Sequence, residues 1–264
     1  MQDTGIDRKN VMEQFYTKFE IAKRYTDLII KMYPDTLHDL WIEPSAGTGS
    51  FLKSLPPHVK NIGIDLDPKF EGVIKNDFLE WNPLSNSVIV FGNPPFGRQS
   101  STAKKFIRKS CSFAKIIAFI LPRSFVKPSM QKCFSLNFHC IFCEEVEKNS
   151  FIINNKPYDV PCVFQIWEKK AFDRIQSLDV KPIGFTYVTF GSKHHLAFRR
   201  VGGRAGKIDE IGNKQTHYFL KLNDETKINS IRESINSHVF PSNTTGPRSL
   251  SKPELNKVLN ELLL

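Results

Sequence analysis

The chain of 264 residues contains no apolar run near the roughly 20 residues that a membrane span requires, and Met1 to Asn10 holds no apolar signal-peptide core. These absences predict a soluble, intracellular protein with no membrane partner, cytoplasmic or, in a eukaryote, nuclear. Cysteine is scarce and odd in number: Cys111, Cys133, Cys140, Cys143 and Cys162 do not suggest the paired framework of a small secreted domain, so reduced, buried thiols are expected. Cys140 and Cys143 form a CxxC, but within the apolar, strand-like stretch Phe138 to Val146. With no second pair at zinc-ribbon spacing, no metal site is expected.

Acidic residues are missing from all of Asn93 to Cys143, a stretch that holds Arg98, Lys104, Lys105, Arg108, Lys109, Lys115, Arg123, Lys127 and Lys132. A second acid-free stretch, Lys193 to Lys207, holds Arg199, Arg200 and Arg204, within a net charge of +10. Fields of one sign suit a polyanion such as DNA or RNA; a solvated basic face is the competing reading.

Residues Gln14 to Met32 carry apolar side chains at helical spacing (Ile21, Tyr25, Leu28, Ile29, Met32) and stop before Pro34. Short apolar runs at Leu40 to Glu43, Asn61 to Asp65, Ser87 to Phe91 and Ile116 to Leu121 read as buried strands. Helical stretches at Gly49 to Leu55 and Ser101 to Ala114 alternate with them. The alternation implies βαβ units, a mostly parallel sheet covered on both faces, and a ligand site at the strands' carboxyl ends. Phe138 to Val146 and Val160 to Trp167 then read as strands joined through Glu147 to Asp159, a pair able to close the sheet edge. Beyond about residue 170 the pattern becomes β-rich (Phe185 to Phe190, His195 to Val201, Thr216 to Leu222), with a helix over Asp224 to Ser237, turn-rich Pro241 to Pro247 and a last helix capped by Ser251. The expected organisation is therefore a catalytic domain over residues 1–170 and a small recognition region over 171–264.

The segment Glu43-Pro44-Ser45-Ala46-Gly47-Thr48-Gly49-Ser50 follows a strand and opens a helix. Its glycines permit close backbone approach to a ligand, and the helix start offers free amides. A phosphate loop would end in Gly-Lys-Ser/Thr, which is missing, and Glu43 would repel phosphate; a carboxylate there suits a cationic ligand. The segment resembles the first cofactor motif of the class I S-adenosylmethionine methyltransferases, in which this loop holds the methionine moiety. The resemblance runs from about Gln14 to Trp167 and implies a Rossmann-like, seven-stranded, mostly parallel sheet that binds S-adenosylmethionine. An acid at the tip of the next strand, Asp65, is placed to accept from ribose hydroxyls. By resemblance Leu66 flanks the adenine, Asp77 accepts from the cofactor's adenine amino group and Phe78 packs on that ring. Taken alone, Asp77 would be a helix N-cap. Phe15-Tyr16-Thr17 resembles the N-terminal segment that lies over the methionine end in restriction-type amino methyltransferases.

Directly after the apolar run Val88 to Phe91 stands Gly92-Asn93-Pro94-Pro95-Phe96-Gly97. An exocyclic amino group is a poor nucleophile because its lone pair is delocalised into the ring. A site can accept both N–H hydrogens, through the Asn93 carboxamide oxygen and the Pro94 carbonyl, and so turn the lone pair toward a methyl donor. Pro94 and Pro95 fix φ, and Phe96 offers a stacking face. In the resembled family, Asn/Asp-Pro-Pro-Tyr/Phe marks amino-nitrogen methylation. Cytosine C5 enzymes use a Pro-Cys instead; Pro161-Cys162 lies far from that place, and Cys162 reads as core. A base inside a duplex must be flipped out to be reached, and Phe151 or Tyr158, Phe151 first, is expected to cover its other face. Arg199, Arg200 and Arg204 sit in a Gly-rich segment that reads as a loop gripping phosphates or as a structural turn.

The resemblance implies an N6-adenine methyltransferase of the restriction-modification type acting on DNA, with RNA as the competing polymer. N4-cytosine methylation, protein-glutamine methylation and a binding subunit with a dead site are the other readings.

Overall fold

The computed structural model describes residues 15–153, 155–175, 180–241, 244 and 248–264. Met1 to Asn10, Gln14, Asn154 and most of Pro241 to Pro247 lie outside the described residues. The chain divides into two compact units, Met1–Ile175 and Gln176–Leu264.

In the first unit the elements run β1 (Tyr16–Thr17), α1 (Phe19–Met32), β2 (Leu40–Glu43), α2 (Ser50–Ser54), β3 (Asn61–Asp65), β4 (Ile74–Lys75), β5 (Val88–Gly92), α3 (Ser101–Cys111), β6 (Ile116–Pro122), α4 (Pro128–Gln131), β7 (Phe138–Glu145), β8 (Phe151–Ile153), β9 (Lys156–Tyr158) and β10 (Cys162–Lys169). Seven of the strands form one sheet in the order β4-β3-β2-β5-β6-β10-β7. β10 is antiparallel to both of its neighbours, and every other pairing in the sheet is parallel. This is the expected Rossmann-like, mostly parallel sheet. The apolar runs become strands because helices cover both faces, leaving β5 and β6 buried along their whole length.

On one face α1 buries Ile21, Ala22, Tyr25, Thr26 and Ile29, its helically spaced stripe. Tyr25 stacks on Phe164 of β10 with centroids 3.9 Å apart. On the other face α3 buries Ala103, Phe106, Ile107 and Cys111. Full burial of each such large side chain contributes about 1.5–3 kcal/mol. The chain runs from β2 outward through β3 and β4, then crosses to β5 on β2's other side. A topological switch point therefore lies at the carboxyl ends of β2 and β5, where an open α/β sheet forms its ligand crevice.

Two expectations are corrected here. The helix does not include Tyr16 and Thr17, which are extended and pair with Ile152 and Phe151 of β8; with β9 they make a three-stranded sheet. Cys140 and Cys143 are exposed rather than buried, because β7 is the edge strand; all five cysteines are free.

The second unit is a four-stranded antiparallel sheet, order β11-β14-β12-β13, made of β11 (Phe185–Val188), β12 (Leu196–Arg199), β13 (Ile208–Asp209) and β14 (His217–Leu222). Helices α5 (Ile228–Ser237) and α6 (Lys252–Leu263) complete it. Phe185, Phe198, Leu220, Ile231, Ile235, Leu255 and Leu259 form its core. Ser251 opens α6 as expected, its backbone N–H donating to the Glu254 carboxylate.

Candidate active site

Three adjacent strands deliver three polar side chains to one edge: β2 ends in Glu43, β3 in Asp65, and Asn93 directly follows β5. Glu43 is only 3% exposed and accepts from the Leu52 N–H at 3.1 Å. Burial pushes its carboxyl well above the ordinary carboxylate range, and the Leu52 hydrogen bond offsets only part of that shift. Gly92 makes room for it. That residue has φ +127°, and a Cβ there would stand 3.1 Å from Glu43 Cγ.

The loop after β2 is tied down at several points. Gly47 N–H donates to Asp65 Oδ2 and Asp67 N–H to Asp65 Oδ1, both at 2.8 Å, so the acid orients the loop that precedes it. Gly47 itself has φ +47°, and a Cβ would lie 2.9 Å from the Tyr16 ring; only glycine permits this approach. The Phe70 ring lies closer still against Gly49, a contact not anticipated from the sequence although Phe70 follows Asp67-Pro68-Lys69 directly. Leu66 is exposed beside Asp65, an apolar surface next to an acid.

Asn93 is the centre of the hydrogen-bond pattern. Its Nδ2 donates to the Phe15 carbonyl at 3.1 Å and to Thr17 Oγ1 at 3.2 Å. Both bonds use the amide nitrogen, which fixes the amide orientation. Its Oδ1 is buried and accepts no hydrogen bond among the described residues. The Asn93 backbone carbonyl accepts from Ser45 Oγ at 3.0 Å, joining the glycine loop to the Asn-Pro-Pro-Phe segment. The Phe96 carbonyl in turn accepts from the N–H groups of Thr102 and Ala103 and anchors the segment to α3. Between them Gln99 and Ser100 hold positive φ (54° and 59°), backbone strain adjoining the site.

The aromatic side chains divide into two groups. The Phe15 ring is near-parallel to both Phe96 (centroids 6.1 Å, 28°) and Tyr158 (5.6 Å, 23°), making a three-ring stack. Tyr158 is 37% exposed, whereas Phe151 is fully buried in the core. The preference for Phe151 as the second face is therefore corrected, since its surface is already used. Phe78 is likewise corrected: its ring is 2% exposed and packs on Phe106 and Phe113. Asp77 Oδ1 accepts from the Leu79 N–H within a turn; no helix among the described residues begins there, so the helix N-cap expected of it when taken alone is corrected to a turn cap.

Of the acid-free stretch after Asn93, Lys115 pairs with Asp39, Arg123 with Glu145, Lys109 donates to Asn82, and Lys127 is buried. Arg98, Lys105 and Arg108 stay exposed near and along α3.

In the second unit the basic segment is less free than its sequence suggests. Arg199 and Arg204 both pair with Asp209, which His217 also contacts. Burial opposes ionisation of that carboxyl, but the Arg199 and His217 hydrogen bonds and the nearby arginine charges hold it below its ordinary value. Arg200 donates to the Gln215 carbonyl and lies over the Tyr218 ring. Two of the three arginines expected to grip phosphates are thus engaged in a structural ion cluster, closer to the turn reading.

No protein-family model and no curated protein matches the sequence. Solved structures that it resembles include a candidate RNA methyltransferase from Pyrococcus horikoshii, 19% identical over 60% of this chain and 87% of that one, TM-score 0.47. Another is a candidate class I S-adenosylmethionine-dependent methyltransferase from Listeria monocytogenes, 18% identical over 64% and 63%, TM-score 0.46. A third is the 23S rRNA methyltransferase ErmE, 14% identical over 62% and 73%, TM-score 0.46. Likeness at this level carries no assignment of activity or substrate, and the fold class rests on the strand order itself.

Proposed function

We propose that the first unit is an S-adenosylmethionine-dependent methyltransferase acting on the N6 amino group of adenine in nucleic acid. The observation that carries this reading is the Asn93 carboxamide. Its nitrogen is held by Phe15 and Thr17, while its oxygen is an acceptor without a donor among the described residues. A buried acceptor left unmatched costs about 1–3 kcal/mol. An incoming amino N–H removes that cost, so the site is complementary to a planar –NH2 group.

The residues at the strand ends fit the cofactor. Its sulfonium and ammonium charges suit the buried Glu43, its methionine moiety the Pro44 to Gly49 loop beneath Tyr16, and its ribose hydroxyls Asp65. Its adenine suits the exposed Leu66, with Asp77 near the amino group. The cofactor supplies an electrophilic methyl on sulfur. Asn93 Oδ1 and the Pro94 carbonyl hold the two amino hydrogens, which turns the nitrogen lone pair out of the base plane toward that methyl. As the N–CH3 bond formed, the S–CH3 bond would break with its electron pair going to sulfur, leaving a neutral thioether, and one amino proton would pass to solvent; both acceptors are neutral and would not retain it. Phe96 and Tyr158 offer stacking faces to the base. Rate enhancement then comes from positioning and from preorganised acceptors, with no covalent intermediate on the enzyme.

Nucleic acid is favoured over a protein glutamine side chain by the exposed Arg98, Lys105 and Arg108 that follow the motif. Asparagine rather than serine at the motif's head favours adenine over cytosine N4. The test incubates the protein with isotopically labelled cofactor and DNA, RNA or a glutamine-bearing protein, then digests each and identifies the product by mass spectrometry. N6-methyladenine from DNA, or from RNA, is the expected product. 4-Methylcytosine or methylglutamine overturns the substrate, and no label transfer to any of the three overturns the activity.

A further inference from the structure

A cleft of about 330 Å3 opens in the second unit at the edge of its sheet. β11 pairs with β14 only as far as Val188↔Phe219, then leaves the ladder through Thr189 and Phe190. β14 extends beyond that rung to Tyr218 and His217, which pair on the β12 side. The departure exposes a cleft walled by the rings of Tyr187, Phe190, Tyr218 and Phe219 and bordered by the ammonium groups of Lys214 and Lys252. Lys252 Nζ stands 4.3 Å from the Tyr187 centroid and 5.9 Å from that of Tyr218, and the Arg200 guanidinium lies 5.5 Å from the Tyr218 centroid. No carboxylate belongs to the described residues that line the cleft.

We infer that this cleft binds one unpaired nucleotide of a single-stranded nucleic acid, the base stacking among the rings and the flanking phosphates lying on Lys214 and Lys252. The inference rests on the nucleic-acid substrate proposed above. Three features point to this ligand rather than to another polyanion. Aromatic rings beside cations, with no acid, is the combination that holds single strands: stacking is available to every base, and the cations track the backbone. The volume is at the lower end of ligand sites, enough for a single nucleotide. Phe190 is 57% exposed, and its one aromatic neighbour among the described residues is Phe219, at a 5.5 Å centroid distance, so much of its ring is open to a planar partner.

The test measures anisotropy of a fluorescent single-stranded oligonucleotide, DNA and RNA in turn, binding to the full chain without cofactor over a range of salt. Phe190, Lys214 and Lys252 are exposed, so Phe190→Ala, Lys214→Ala and Lys252→Ala keep the fold, which a thermal melt checks. Phe190→Ala should weaken binding by roughly five- to a hundredfold, the range of one lost base stack. Each lysine variant should lower the salt slope by about 0.7. Wild-type affinity and slope in all three variants overturn the inference. So does a polyglutamate that displaces the oligonucleotide equally well from wild type and from Phe190→Ala. Strand binding that depends on these residues in a protein that transfers no methyl would instead overturn the proposed activity and leave the cleft in place.

Discussion

Truncating Asn93 to alanine separates the two tasks joined at the motif. Its backbone carbonyl, which accepts from Ser45, is untouched, so the link to the glycine loop survives. Only the carboxamide goes, and with it the oxygen that would receive an amino N–H. Removing one preorganised hydrogen-bonding group from a transition state costs about 10²–10³ in kcat, or ~2.7–4 kcal/mol. The folded state changes far less. The Phe15 carbonyl and Thr17 hydroxyl each lose a donor, but a buried unmatched oxygen is lost as well, and these effects oppose one another within about 1–2 kcal/mol. Thr17→Val is the graded companion: it removes one of the two partners of Nδ2 and loosens the amide without deleting it, for a loss of up to about tenfold in kcat. Single-turnover methyl transfer gives the rate, and calorimetry with the cofactor gives its Kd. An Asn93→Ala enzyme within about threefold of the wild-type rate would refute the acceptor role, given the size of the loss expected. So would a cofactor Kd that rises in step with the lost rate.

The buried Glu43 carboxyl has a folded-state value well above its unfolded one, about 4.3. The folded chain therefore binds more protons in the window between the two, and stability falls as pH rises through it. Glu43→Gln should flatten that part of the melting-temperature profile; parallel wild-type and variant profiles would show that the carboxyl is already ionised without ligand. A cationic ligand favours the ionised form, so cofactor affinity should also rise with pH in wild type and not in Glu43→Gln. In the second unit, Arg199→Ala leaves the 8% exposed Asp209 with weaker partners and should cost on the order of 1–3 kcal/mol in unfolding stability. Asp209 titrates below its ordinary value, so its contribution is present above the unfolded value and lost as pH falls; the variant should show a smaller loss on acidification. Its effect on the salt slope of single-stranded oligonucleotide binding should be small, and a drop of about 0.7 would restore Arg199 as a phosphate contact.

The strand-end residues were legible because each closes an apolar run: Glu43, Asp65 and Asn93 follow stretches whose length and bounds mark buried strands, and parallel strands carry their ends to one edge. The partner of Tyr16–Thr17 was not legible. Two residues give no period, the helical spacing that begins at Ile21 reaches back over them, and their mates in β8 stand far along the chain. The same limit explains the aromatic corrections. A motif places an aromatic at a position, but whether its ring meets solvent or core depends on what packs behind it. Phe78 faces Phe106 and Phe113, and Phe151 is enclosed, whereas Tyr158, its register partner across the hairpin, stays open. Asp209 eluded the reading of the basic segment for a similar reason. It lies after the segment in sequence, and only the β12–β13 pairing, Ala197↔Asp209, folds it back among the arginines.

The buried state of the Asn93 oxygen has one further consequence for how a base is admitted. An acceptor with almost no exposed surface cannot receive an N–H until a side chain moves, and we propose Phe15 as that side chain. Its ring stacks with both Phe96 and Tyr158, the two faces assigned to the base, while its backbone carbonyl holds Asn93 Nδ2. Rotation about χ1 would withdraw the ring and leave that hydrogen bond in place, so the carboxamide keeps its orientation as the base arrives. On this reading Phe15 competes with the substrate. Phe15→Ala should then tighten oligonucleotide binding by roughly two- to tenfold, the worth of an aromatic pair. Tyr158→Ala should weaken it by roughly five- to a hundredfold, the worth of a stacked base. Equal weakening in both variants would refute the competition and make Phe15 a stacking platform in its own right.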